Sequence, residues 1–381
     1  MTADDIEKDS ANKGGVKLNP PHRAEHIGSL LRPRELREAF KARAAGQMAA
    51  DAYREIEDRA IIAAIQMQEA VGLQTITDGE FRRGSWAFGL VKAVDGFEEA
   101  RSSFEFQDAD GNSYPFDTCY ATSKIRRTRP IAAGEFDFVS HHTRRVPKVT
   151  MPAPSFMHFF RGAECADRKV YPNLADFWSD LLAVYKEELH ELGRLGARYL
   201  QIDEVPLAML CDARVRERAR AMGQEPDALV IRYIDAINEV IAARPAGMTV
   251  GMHLCRGNFR SRWMAAGGYD TVAERLFNRT KVDAFFLEYD TPRAGDFAPL
   301  RFVPANKIVV LGLVSTKTPI LEQKDSLKRR IDEAARFVPL ERLALSPQCG
   351  FASTVAGNVL SAEDQTRKLG LVVEVAREVW G

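Results

Sequence analysis

Long apolar runs are missing from this chain: none approaches the roughly 18 residues that a membrane-spanning helix needs. The opening stretch, 1–17, is polar and acidic and lacks the apolar core of an export signal, so the cytoplasm is the expected compartment and no membrane partner is expected. An excess of either charge is missing too. Lys plus Arg and Asp plus Glu number 53 each, which leaves no overall positive field to neutralise a phosphate backbone and argues against nucleic acid as a partner. Cysteine is scarce and odd in number: Cys119, Cys165, Cys211, Cys255 and Cys349 do not form a secreted disulfide framework, and some of these thiols should be free.

What is present is a globular balance, 45% hydrophobic and 28% charged over 381 residues, enough to bury a large core. That length suits one decorated α/β barrel as well as it suits two domains. Short apolar runs alternate with helix-period segments. Eight strands are read at about 24–30, 74–80, 148–153, 199–205, 249–255, 284–290, 307–314 and 343–349. Eight parallel strands with helices between them predict an α/β fold, a (β/α)8 TIM barrel.

Two helices show how the units repeat. Phe177, Leu181, Tyr185, Leu189 and Leu192 make one apolar face that stops at Gly193 and Gly196. Ile56, Ala60, Ala63, Met67 and Val71 make another that stops at Gly72, consistent with a left-handed cap. Each feeds a strand ending in acid, Asp78-Gly79-Glu80 and Asp203-Glu204. The stretch from Phe97 to Lys148 breaks this rhythm with two basic runs, Lys124 to Arg129 and His141 to Lys148, flanking Ala133-Gly134-Glu135, and is read as a β-hairpin inserted after the second strand, over about 97–147. Its Lys and Arg side chains protect a strand edge or form an anion-binding flap, the former being favoured. Residues 1–20 read as a loose tail and 21–381 as the barrel.

The chemistry is densest at Gly251-Met252-His253-Leu254-Cys255-Arg256-Gly257. Residues two apart on a strand share a face, so His253 and Cys255 present an imidazole and a thiol together at a strand end, where barrel active sites lie. Alone, that pair is more often a buried structural feature. Glu288 ends the sixth strand after three bulky apolar residues, where a carboxylate is costly unless paired or bound to a cation. Cys349 holds the same place on the eighth strand. His253, Cys255, Glu288 and Cys349 are thus candidate zinc ligands. With neutral imidazole, two thiolates and a carboxylate around Zn²⁺ sum to −1. So electron-rich a site suits activation of a substrate thiol better than activation of water.

These residues carry a resemblance. His26-Ile27-Gly28-Ser29, Asp78-Gly79-Glu80-Phe81, Gln201-Ile202-Asp203-Glu204, His253-x-Cys255, Glu288 and Cys349-Gly350 occur in the order found in the cobalamin-independent methionine synthase family, and the chain resembles its catalytic barrel and single-barrel members. The resemblance implies a zinc-dependent methyltransferase acting on homocysteine. It implies that His253, Cys255, Glu288 and Cys349 hold the metal, and that Ile27, Gly28, Ser29, Glu80 and Asp203 hold the amino-acid end of the thiol. The charges agree: an ammonium wants carboxylates, and a carboxylate wants the N–H donors of a turn. The same acids are equally able to pair with Arg82, Arg83 or Arg256.

Two stretches depart from the family. Where its members carry an Asp and a His thought to protonate the departing donor, Ser315 and Lys317 stand here. Lys317 is the candidate proton donor, if burial or neighbours lower its pKa, with an anion contact or a solvated position as alternatives. The family's folate-stacking Trp has no evident counterpart, and Phe156, Phe159 or Trp86 either substitutes for it or packs in the core. The methyl donor is therefore a folate, a corrinoid or a small molecule. Two other readings remain: a thiol transferase opening an epoxide, as in coenzyme M enzymes, and a barrel with a structural metal or none that binds a small ligand. A homo-oligomer is compatible with any of these.

Overall fold

The chain enters as an extended segment near Ala24, crosses two helices, Arg34–Ala44 and Ala50–Val71, and reaches a short strand, β1 (Thr75–Ile76). A long hairpin follows, β2 (Val94–Gln107) and β3 (Ser113–Arg127). Then come β4 (Val146–Pro147), β5 (Val149–Pro152), β6 (Tyr199–Glu204), β7 (Thr249–Leu254), β8 (Ala284–Glu288), β9 (Ile308–Val314) and β10 (Leu343–Pro347), with helices between the later strands. This architecture comes from a computed structural model that describes residues 21–108 and 110–381. The expected tail, 1–20, lies outside the described residues.

Strands β5 to β10 form one sheet in sequence order, every pair parallel. Both faces of these strands are buried, which is why they read as continuous apolar runs rather than alternating ones. Pairing of β4 with β1 and a 2.8 Å bond from the Lys148 N–H to the Ile76 carbonyl extend the sheet on one side. On the other, Glu25 N–H donates to Leu345 (2.9 Å) and Leu345 N–H donates to Arg23 (2.8 Å), tying the entering segment to β10. Leu30 N–H donates to Gly79 at 3.0 Å, closing the ring. The fold is a TIM barrel.

The first two expected strands are shorter than their sequence suggests. Gly28 (φ 129°), Gly79 (φ 72°) and Glu80 (φ 59°) leave the β region, so the ladder cannot run through them. The helix Ala50–Val71 also differs from its reading: it buries Glu57, Ile61, Ala64, Ile65 and Gln68, while Ala63 is exposed. Gln68 explains the rotation. Its amide donates to the Thr77 carbonyl (2.8 Å) and accepts from the Thr77 N–H (3.0 Å), finishing the strand that the sheet leaves unpaired. Gly72 caps this helix at φ 98°, as its sequence suggests.

The hairpin stands where it was expected, between the second and third barrel strands, but only over β2 and β3; Ala133–His142 is a helix that buries Phe136 and Val139. Two of its cations act as neither edge guards nor a flap, whereas Arg126 stays exposed beside Asp95 across the hairpin. Lys124 pairs with Asp180 at 3.5 Å and Arg127 with Glu188 at 2.7 Å and with Glu191, fastening the hairpin to the helix Leu174–Arg194.

Lys148, part of the second basic run, is fully buried inside the barrel. Its ammonium lies 3.2 Å from Glu25 and 3.1 Å from Gln201 Oε1, donates to the His26 carbonyl, and faces the Phe286 ring at 5.2 Å. Glu25 in turn accepts from Thr75 Oγ1 at 2.9 Å and Tyr199 OH at 3.2 Å. Among the described residues no helix is long and apolar enough to cross a membrane.

Removing one member of such a pair strands the other charge. Lys148→Met should lower stability by about 3–5 kcal/mol in urea unfolding, and adding Glu25→Gln should recover much of it. Glu204 gives a pH test. Burial raises its carboxyl to about 7, against hydrogen bonds from Ser155 Oγ (2.5 Å) and Leu207 N–H (2.7 Å). A raised folded pKa means that the native state holds the proton more tightly, so stability falls as pH climbs from about 4.5 to about 7 and the full penalty persists above. Glu204→Gln should therefore stabilise the protein by about 1–3 kcal/mol at pH 8 and change little at pH 4.5, as read by paired melts.

Candidate functional site

Parallel register sets the level of the site. Asp203 on β6 pairs with His253 on β7, so the two side chains stand side by side at the carboxyl end of the barrel. Cys255 follows one residue past β7, and Cys349 two residues past β10. The ligand atoms of His253, Cys255 and Cys349 lie within 4.8 Å of one another, and the two sulfurs are 3.3 Å apart. Two sulfurs each about 2.3 Å from one tetrahedral zinc would stand roughly 3.8 Å apart, so the pair needs to open only slightly.

All three residues are buried, and both ring nitrogens of His253 lack a hydrogen-bond partner. A buried imidazole that faces the Cys349 sulfur and has no oxygen or nitrogen partner in the protein is a donor that a bound cation would satisfy. Contact between the sulfurs pushes the Cys255 thiol up and holds Cys349 well below its ordinary value, so the pair readily carries a thiolate. Soft sulfur donors and an imidazole fit zinc.

Glu288 is not gathered into this cluster. It is fully buried, accepts from the Arg256 N–H at 3.0 Å, and turns its other oxygen to the Arg293 guanidinium. Lys317 Nζ lies 3.9 Å away. Burial alone would raise this carboxyl, but Lys317, Arg293 and Arg256 outweigh it and hold it down at about 2. Lys317 thus faces Glu288 rather than the chamber described next.

Ile27, Ser29, Glu80 and Asp203 line one small chamber with His253, Cys255 and Cys349, of about 50 Å³. Gly28 supports its wall: a Cβ there would meet Thr150 Cγ2 at 2.7 Å and Glu80 Oε1 at 3.4 Å. Gly350 is required as well, because a Cβ would fall 1.9 Å from Ser29 Oγ. Glu80 is held at φ 59° by an Asx turn in which its own N–H donates to Asp78 Oδ1 at 2.8 Å. Such a backbone costs about 1–3 kcal/mol and clusters at functional sites.

The alternative pairings with arginine are partly realised. Arg83 sits 3.6 Å from Glu80 Oε1, which also accepts from Thr150 Oγ1 at 2.8 Å, but its main partner is Glu135. Glu80 Oε2 has no hydrogen-bond partner. Arg82 pairs with Glu57 and Asp58 instead, both at 2.6 Å. Burial, reinforced by Glu80, raises Asp203 to about 7 against His253 and a 2.7 Å bond from Gln201 Nε2. The chamber therefore offers two acids whose charged forms lack a full counter-charge.

Of the aromatics, Trp86 lines the chamber, whereas Phe156 and Phe159 are core. Sequence reasoning missed Phe106, Asn258, Met264 and Ser353, which also line it. Asn258 is one residue beyond Gly257 and within reach of motif reading. Phe106 had only the alternation Phe104-x-Phe106 to announce an inward hairpin face.

Comparison with known proteins agrees with this geometry. Residues 23–378 match the family described as the cobalamin-independent synthase catalytic domain. The chain is 40% identical over 367 residues to YxjH of Bacillus subtilis, an uncharacterized protein, covering 94% of this chain and 95% of that one. Identity to methionine synthase of Pyrococcus abyssi is 26% over 325 residues, 85% and 84% of the two chains. A Listeria monocytogenes protein assigned as a vitamin-B12 independent methionine synthase has a solved structure that superposes with TM-score 0.72 at 31% identity, over 95% of this chain and 98% of that one. The B12-independent methionine synthase of Shewanella also reaches TM-score 0.72 at 17% identity, over 94% and 97%, showing the same fold. The chain belongs to the cobalamin-independent methionine synthase family of methyltransferases, through its catalytic domain.

Proposed function

We propose that this protein methylates the sulfur of an amino-acid thiol, homocysteine or a close analogue, giving methionine or a related thioether. One observation carries the reading: the His253, Cys255 and Cys349 donors share a single chamber with Glu80 and Asp203. The first set fits zinc, with Glu288 as the fourth ligand once its carboxylate turns from Arg293. Zinc bound there supplies the positive charge that keeps a thiol deprotonated and nucleophilic near neutral pH.

The remaining residues orient. Glu80 Oε2 and Asp203 take the substrate ammonium, and the turn at Ile27, Gly28 and Ser29 takes its carboxylate. Binding both ends of the amino acid fixes the sulfur toward the cysteines, which converts an encounter into a positioned attack. The new S–C bond forms as the methyl–carrier bond breaks. Its electron pair leaves with the carrier, and the proton lost by the thiol balances the one the carrier gains. Asp203, with its carboxyl near 7, is placed to hold that proton. Lys317 acts through Glu288, as its counter-charge. The solved Shewanella relative, in complex with selenomethionine, is consistent with such a product in this fold.

An anionic thiol of the coenzyme M kind fits less well. Among the described residues no Lys or Arg lines the chamber, and Lys124 and Arg127 of the hairpin are paired with Asp180, Glu188 and Glu191.

Purified protein should contain about one zinc per chain, with Cys255→Ser and Cys349→Ser each losing most of it by elemental analysis. Incubation with homocysteine and a methylated folate, corrinoid or small methyl donor should yield methionine by mass spectrometry; no product from any of them sinks the proposal. Glu80→Gln and Asp203→Asn should raise the homocysteine KM about 10- to 100-fold, the effect of losing a charge-assisted bond, with zinc content unchanged.

A further inference from the structure

The roof of the chamber comes from the inserted hairpin. Phe106, near the end of β2, lines it beside Trp86, Gly257 and Met264. The hairpin is clasped there by an isolated antiparallel bridge: Gln107 N–H donates to Trp263 (2.7 Å) and Trp263 N–H donates back to Gln107 (3.1 Å). Phe106 then packs on Phe259 at 5.3 Å and Phe116 at 5.1 Å between ring centroids. A Cβ on Gly257 would lie 3.1 Å from the Phe106 ring, so glycine lets the ring reach the opening. The clasped loop carries two strained residues, Arg260 (φ 49°) and Ser261 (φ 68°).

We propose that Phe106 is a specificity-determining residue, a plug that limits what reaches the sulfur pair to an amino-acid thiol and an electrophile that presents a bare methyl or similarly small carbon. This deepens the proposed function and takes its substrate classes from it. The size of the space carries the point. About 50 Å³ is far below the roughly 300–1,000 Å³ of a pocket that encloses a drug-sized ligand, so the chamber must widen for the thiol and further still for a bicyclic carrier, and Phe106 is the hairpin side chain that has to yield. The plug is apolar on an apolar seat, and it therefore excludes water as well as bulk, which strengthens charge interactions inside. A carrier larger than the chamber reaches the sulfur only when the Gln107·Trp263 clasp opens.

Thiol labelling tests this without any turnover. Full-length protein, stripped of metal by chelation, is treated with N-ethylmaleimide or with a bulky biotin-linked maleimide, which share one reactive group, and modification is read peptide by peptide. In the parent, Cys255 and Cys349 should react with the small reagent and at least tenfold more slowly with the bulky one. Phe106→Ala should erase most of that difference, and Phe106→Leu should give an intermediate rate. Cys119, buried on the same hairpin, is the internal control. If the bulky reagent reaches Cys255 no faster in Phe106→Ala, or if Cys119 accelerates equally, the plug is overturned. Absence of methyl transfer from every donor, with the labelling pattern intact, would instead overturn the proposed function and leave the plug standing.

Discussion

Everything at the mouth of this barrel depends on parallel register. Hydrogen bonding that sets Asp203 opposite His253, and His253 opposite Phe286, fixes the height at which each strand ends. A slip of one residue would send every side chain of the strand to the opposite face. Asp203 and His253 would then enter the layer between sheet and helices, and the thiols at 255 and 349 would lose their partner. The ladder, rather than any single contact at the site, gathers the donors, and it is long enough and buried enough to hold them there.

Register alone does not fill the barrel. The lower interior is packed by Ile27, Tyr199, Ala284, Phe286, Val310 and Ala344, and through it runs a polar chain from Glu25 to Lys148 to Gln201 to Asp203. Gln201 is the hinge of that chain: its oxygen accepts from Lys148 while its amide donates to Asp203 and to the Ile27 carbonyl (2.6 Å). One side chain thus orients both Asp203 and the turn at Ile27, the two groups proposed to hold opposite ends of the same substrate. A buried ion pair is a poor source of net stability, since desolvation offsets most of its attraction. Its value here is directional, because it fixes which face of the Gln201 amide points up.

Much of this was legible because period and position suffice to read it. Continuous apolar runs at 249–255, 284–290 and 343–349 reveal strands buried on both faces, and the residues at their ends are where barrel chemistry sits. The resemblance supplied roles for Glu80 and Asp203, and both do line the chamber. Three features escaped for distinct reasons. Lys148 lies in a basic run and reads as an edge-guarding cation, because nothing local shows that Glu25, 123 residues earlier, shares its interior. The ladder at 74–80 shortens because Asx-turn chemistry at Asp78 overrides strand propensity. Phe106 comes to line the chamber with Trp86 and Met264 through a bridge from Gln107 to Trp263, a pairing that no periodicity encodes.

Glu288, proposed as the fourth ligand, stands apart from the three gathered donors in this structure. Two thiolates and a neutral imidazole balance a divalent ion, and a fourth, anionic donor makes the set −1. In this structure that donor rests on Arg293, with Lys317 3.9 Å away and Arg256 behind it. The cations have two consequences of opposite sense. They stabilise the carboxylate away from the cluster, and they are close enough to screen the surplus charge if it joins. Leaving Arg293 would strand a largely buried guanidinium, so the carboxylate would join the cluster only where a bound cation offsets that loss.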